Sequence, residues 1–407
     1  MAAAADFRHR LTGRFPYPLG ASIFFGQVAV GIVLFAIFQE YVPHELGTND
    51  AWPGYLLTAY GAARFLSETP AGAFSDRVER KLGILVGFAL SIPAVLAMAL
   101  VHDEHLYLAC AAFMGLGSAF VWPATYAIAA DLYPPHRRGK IVGFLNVGQL
   151  LGFGVGALIG ALVVERQPLL LFAVAIAGTS AAFVATLIGI PNYRGPGLFR
   201  LIHHQHRPSV LSTMSRQLAF LAGLIVAANV ALAMLVPAIR PFGDEQLDVS
   251  FARLTVVMIP AIVIGAALYV PAGHASDRFG RVKPFFAGQV LLIAGLLVAA
   301  TTRSLPVAGA AAVVIFAGNV LVVPAWNAAV MDLAPETHRG TLIGFSVALS
   351  GLGLALGPAI GGLLVQNAGA PAVFRTSAAL CAATGTAIIF YGRIFRHAGQ
   401  AQPSERA

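Results

Sequence analysis

Arg64 and Glu68 stand four residues apart in a stretch, roughly 53–75, that is otherwise mostly apolar or small. On a helix that spacing puts both side chains on one face. Three chemistries are open to such a pair. The two groups can neutralise each other as a static ion pair. Glu68 can take up and release a proton. Arg64 can hold an anionic group on a ligand. A charge deep in a bilayer costs a few kcal/mol even on the lenient insertion scale, so it normally faces a cavity or a partner. The surroundings of these two residues therefore decide which chemistry is used.

Those surroundings are apolar on a large scale. The chain has 407 residues, 58% hydrophobic and 11% charged, whereas a soluble domain carries about 25% charged residues. A run of about 20 apolar residues crosses the roughly 30 Å hydrocarbon core of a bilayer. Twelve such runs are read, at roughly 18–42, 53–75, 82–101, 106–130, 140–164, 168–190, 217–239, 252–275, 284–302, 305–330, 341–366 and 371–393. The expected fold is an all-α integral membrane protein of twelve transmembrane helices. A polar connection, 191–216, separates an N-terminal half (1–190) from a C-terminal half (217–407) with a short tail.

The halves are copies of each other. Gly72-Ala73-Phe74-Ser75-Asp76-Arg77, with Arg80, returns as Gly273-His274-Ala275-Ser276-Asp277-Arg278, with Arg281, at an offset of about 201 residues. Pro123, Asp131, Pro134 and Arg138-Gly139 are answered by Pro324, Asp332, Pro335 and Arg339-Gly340, and Gly152, Gly156 and Gly160 by Gly353, Gly357 and Gly361. One register across separate segments is the mark of an internal duplication. Two parallel halves imply a pseudo-twofold along the membrane normal and a ligand site between them near the midplane. Along the second helix, at 1.5 Å per residue, Glu68 lies about 12 Å and Arg64 about 18 Å from Asp76, inside the membrane. Their repeat counterparts are Gly265 and Tyr269, so the fold itself does not require charge there.

The net charge of +8 is a topology signal. With the N-terminus in the cytoplasm, about twenty Lys and Arg fall on inside segments and about five outside, the bias expected of a cell-membrane protein with both termini inside. The outer loops hold Glu45, Asp50, Asp103, Glu104, Asp244, Glu245 and Asp248, with Arg240 among the few outer cations, and Glu40 near an outer helix end reads as interfacial. Nucleic acid is thereby excluded as the reason for the basic balance. Cys110 and Cys381 sit in apolar runs and suggest neither disulfide nor metal. His203, His204 and His206 read as part of a solvated linker. No Gly-x-x-x-x-Gly-Lys phosphate loop is present, and no enzyme chemistry is indicated.

Twelve spans in two halves, the central basic connection and the twice-used Gly-x-x-Ser-Asp-Arg-x-x-Arg turn resemble the major facilitator superfamily over roughly 17–395. The resemblance implies a secondary transporter working by alternating access, with no cofactor. It also implies a cavity lined by the first, fourth, seventh and tenth helices with faces of the second, fifth, eighth and eleventh. Gln27, Trp122, Tyr126, Asn146, Gln149, Asn229, Asn319, Trp326 and Asn327 are the polar or aromatic candidates for that lining. Asp76, Arg77, Arg80 and Asp131, with the copy Asp277, Arg278, Arg281 and Asp332, are the expected cytoplasmic latch. The glycine series of the fifth and eleventh helices are expected where the halves pack. Relative to drug–proton antiporters of the family, the chain has Ala111 in place of an Arg in the fourth helix and Ala157 in place of a Pro in the fifth. The expected activity is proton-coupled efflux of an amphipathic or hydrophobic small molecule by a monomer in the lipid bilayer. The alternatives are a carrier of an acidic metabolite or lysolipid, with Arg64 on the head group, and a non-transporting membrane sensor.

Overall fold

The computed structural model describes residues 16–132, 135–164, 166–190, 192, 216–280, 282–333 and 339–398. Helix α1 runs Pro16–Gly31 and continues through π-helical turns Ile32–Tyr41 to Val42–Glu45. Then follow α2 (Trp52–Arg77), α3 (Arg80–Leu100), α4 (Glu104–Leu132), α5 (Pro135–Val163) and α6 (Pro168–Gly189). In the second half α7 is Arg216–Ala233, extended by Val236–Ala238, Ile239–Pro241 and a π-helical Phe242–Leu247. It is followed by α8 (Phe251–Phe279), α9 (Val282–Ala299) and α10 (Leu305–Leu333). The run Arg339–Ala398 is broken at Gly369, whose φ of 72° is non-helical, into α11 (339–368) and α12 (370–398). A left-handed φ is readily adopted only by glycine, so Gly369 makes the tight reversal possible.

Among the described residues ten segments are long and apolar enough to cross a membrane, α11 and α12 being one of them. The remaining long helix is α2, which carries Arg64, Glu68, Asp76 and Arg77. The helices run a few residues past the apolar stretches at most ends, because hydropathy marks the hydrocarbon core whereas backbone hydrogen bonding continues into the polar boundary. Val78 and Glu79, at non-helical φ/ψ, end α2 and start α3. This turn and its repeat lie at one end of the bundle, here the turn end. Residues 191 and 193–215, most of the connection between the halves, lie outside the described residues.

Each half has its own apolar core. Two clusters draw on residues from 19 to 190, one around Ile32, Phe38, Tyr107 and Phe172, the other around Leu19, Ile84, Trp122 and Ile128. A third, around Met234, Phe242, Leu296 and Phe374, draws its buried members from residues 231–381. The glycine series depart from expectation. Gly152, Gly156 and Gly160 face α1 at Phe24, Val28 and Ala36, and Gly353, Gly357 and Gly361 face α7 at Val226, Val230 and Met234. They draw helices together within a half. Small residues let the two backbones approach closely, wherever the partner helix lies. Between halves the close approach is of α2 on α11, where a Cβ at Gly61 would lie 3.0 Å from Ala355 Cα. Phe35 of α1 also packs on Phe251 of α8, ring centroids 5.1 Å apart.

Candidate functional site

Arg64 and Glu68 share a face of α2 as their spacing requires. Arg64 Nη2 is 4.0 Å from Glu68 Oε1, and both side chains are about one-third exposed, at 34% and 33%. They lie within electrostatic range of Tyr126 on α4. The Tyr126 hydroxyl donates to Asn146 Oδ1 on α5 at 3.2 Å, and its ring leans on Trp122, centroids 5.5 Å apart. Four of the residues expected to act on a ligand or proton thus form one polar group within the N-terminal half. The pair is loose: 4.0 Å is a weak contact for two charges, and about a third of each remains open.

The other candidates separate into two cavities, one inside each half. Gln27 and Trp122 line a space of about 440 Å³, its open part included, between α1, α3, α4 and α6. Asn229 and Asn319 line a larger space of about 730 Å³, measured the same way, between α7, α9, α10, α11 and α12. Asn229 Nδ2 donates to Ile225 O at 2.9 Å and to Ser350 Oγ at 3.3 Å. Gln149 is half-buried on α5, and it lines neither cavity. The side chains of Trp326 and Asn327 lie outside the described residues. Gln289, on α9, was not among the candidates. It lines the larger cavity with its carbonyl oxygen buried and unpartnered. The repeat was the signal that could have found it, since the same position of the first half holds Phe88.

At the turn end, Arg80 Nε lies 3.3 Å from Asp131 Oδ2, joining the start of α3 to the end of α4. Arg77 is exposed, and the Arg278 guanidinium sits 5.5 Å from the Phe279 ring centroid. The side chains of Asp76, Asp277 and Asp332, and residue Arg281, lie outside the described residues.

The opposite end holds charges that sequence reasoning had treated as topology markers and interface residues. Arg240, beyond α7, has its Nε 3.0 Å from Glu40 Oε2 on α1 and 3.3 Å from Asp244 Oδ2. Its Nη1 is 3.6 Å from Asp50 Oδ1. The Arg240 and Glu40 side chains are 17% and 10% exposed. One guanidinium from the second half is therefore held by two carboxylates of the first and one of its own. Glu40 lies in the π-helical part of α1, and Asp244 in that of the α7 extension. A π turn widens the helix and re-aims the side chains beyond it, and such turns are frequent at functional sites.

The arrangement moves charge and ligand-sized space to the interior of a helical bundle. Comparison with known proteins agrees with that architecture. The solved nucleoside transporter NupG superposes with a TM-score of 0.71 at 13% identity, over 92% of this chain and 98% of that one. Multidrug resistance protein 2 of Bacillus subtilis (strain 168) is 26% identical over 84% of this chain and 87% of its own length. The uncharacterized MFS-type transporter YttB of the same organism is 23% identical over 81% and 83%. The model of the Major Facilitator Superfamily matches residues 19–268 and again 218–406, nearly the whole chain. This multi-pass membrane protein belongs to the Major Facilitator Superfamily of transporters.

Proposed function

We propose that the chain is a secondary active transporter that works by alternating access and exports an amphipathic or hydrophobic small molecule in exchange for protons. One observation carries the reading. Among the described residues, the ion pairs that join the two halves are those of Arg240 with Glu40 and Asp50, all at one end. A largely desolvated pair is costly to break by losing one partner, about 3–5 kcal/mol. It is nevertheless reversible when water can reach both charges as the halves rock apart. The end holding Arg240 is then the outer gate, closed here, and the turn end is cytoplasmic, as the Lys and Arg bias favours. The Arg80–Asp131 contact with Asp76, Arg77 and their repeat forms the opposing latch. The membrane is the cell membrane, and the chain acts as a monomer without a cofactor.

Glu68 is the proton-carrying group in this reading, with Arg64 beside it on the same face of α2. The multidrug resistance proteins among the relatives support export of drug-like molecules. The test is accumulation of a fluorescent amphipathic dye in proteoliposomes under an imposed pH gradient. Glu68→Gln should abolish the gradient-driven component and leave exchange down the dye's own gradient. Unchanged gradient-driven accumulation in Glu68→Gln would end the coupling assignment. A second reading is favoured by the 4.0 Å looseness of the pair, which leaves the guanidinium able to take an anionic head group. In that case Arg64→Ala loses affinity for acidic substrates and spares neutral ones.

A further inference from the structure

The two cavities occupy the same place in the two halves, and the structure establishes their correspondence residue by residue. A Cβ at Gly87 would meet Gly117 O at 2.5 Å and Val121 Cγ2 at 2.6 Å; one at Gly288 would meet Gly318 O at 2.6 Å and Val322 Cγ2 at 2.8 Å. All three pairs are 201 residues apart. In the same way, Gly152 abuts the Cβ of Gln27 and Gly353 the Cβ of Asn229. Gln27 therefore answers to Asn229, Phe88 to Gln289, Ser118 to Asn319 and Trp122 to Val323.

The first half crowds this place with two aromatic rings. Phe88 and Trp122 are buried, at 6% and 2% exposure. The second half replaces the phenyl ring by an amide and the indole by an isopropyl group. Its cavity is correspondingly larger, about 730 Å³ against about 440 Å³ with the open part included in both. It is apolar apart from a few polar groups. Gln289 is 6% exposed, and its Oε1, like Asn319 Oδ1, is buried without a hydrogen-bond partner. An unmet acceptor is costly in an apolar setting, and a donor on a ligand would relieve it.

We infer that the cavity between α7, α9 and α10 is a binding site for a neutral amphipathic molecule with an apolar body and an N–H or O–H donor. The donor is taken up by Gln289 and Asn319, while Leu292 and Val323 bound the apolar body. Among the described residues no Asp, Glu, Lys or Arg lines the cavity, which favours a neutral ligand over an ion. The site lies inside one half, and neither Arg64 nor Glu68 lines it. That the bound molecule is also carried across the membrane rests on the transporter reading; the binding does not.

The probe is N-phenyl-1-naphthylamine, a neutral diarylamine with one N–H whose fluorescence rises in apolar surroundings. It is titrated into the full chain in nanodiscs with the signal of empty nanodiscs subtracted, and its N-methyl derivative serves as a probe without a donor. Saturable binding is expected for the unaltered chain. Gln289→Phe and Val323→Trp, which rebuild the first half's packing, should remove it. Gln289→Leu keeps the space and carries the test should the bulkier variants not fold. It should weaken the N–H probe about five- to tenfold, the worth of one hydrogen bond, and leave the N-methyl probe unchanged. Absence of saturable binding by the unaltered chain overturns the site. So does saturable binding that survives both filling variants in folded protein. Equal effects of Gln289→Leu on the two probes overturn the assignment of the donor. Because no gradient is applied, a chain that binds the probe but does not move it sinks the transporter reading alone.

Discussion

Phe88 and Trp122 narrow the space inside the first half, and Gln289 and Val323 leave it wider in the second. The charges are distributed the other way. Arg64 and Glu68 lie on α2 of the first half, and Gly265 and Tyr269 hold their places in the second. A duplicated fold needs its close helix crossings in both copies, as the Gly87–Gly117 and Gly288–Gly318 approaches show. It does not need the same side chains around them. The two halves have divided the work: one keeps a packed core under a charged face, the other a neutral cavity.

The sharpest way to break this comparison is to truncate equivalent residues. Trp122→Ala should destabilise the chain by about 3–5 kcal/mol, the usual cost of emptying a packed aromatic site. Val323→Ala should cost under about 1 kcal/mol, since it borders space that is already empty. Thermal unfolding in one detergent compares the two, and equal losses would mean that the halves are packed alike.

The next largest effect concerns the joint between the halves. Arg240→Ala leaves Glu40, Asp50 and Asp244 facing one another and should shift the equilibrium toward separation at that end by about 3 kcal/mol, roughly a hundredfold. Spin labels at His44 and Arg303, both exposed and on opposite halves, would read this as a longer distance population. A distribution identical to that of the unaltered chain would deny Arg240 a gating role.

The smallest effect has the opposite sign. Gln289→Leu removes a buried unmet acceptor from the second half and should stabilise the chain by about 1 kcal/mol. A binding site often holds stability below what its packing would allow. A lower melting temperature for Gln289→Leu would show that the amide is a structural hydrogen-bonding group.

Much of the fold was legible before any coordinates. Hydropathy located the helices, including α2 at roughly 53–75 despite its charges. The shared face of Arg64 and Glu68 followed from helical geometry. The close association of Tyr126 and Asn146 did not, since each could only be assigned to a helix expected at the cavity. Gln289 carries no such sign, because it lies on α9, outside the helices that the resemblance places at the central cavity. Glu40 was read as interfacial and Arg240 as a topology charge. They are 200 residues apart in the chain, and nothing local to either records the other.

The sequence by itself determined the helices, their duplication and the charge inside α2. These follow from covalent order: hydropathy, a 1.5 Å rise and a constant offset. Only the tertiary structure decided that Arg240 ties the halves together at one end, and that the glycine series pack within each half. It alone decided that the space narrowed by Phe88 and Trp122 is wider beside Gln289. Those facts depend on which surfaces of distant helices meet, and a close approach or a cavity exists only once several helices have packed around it.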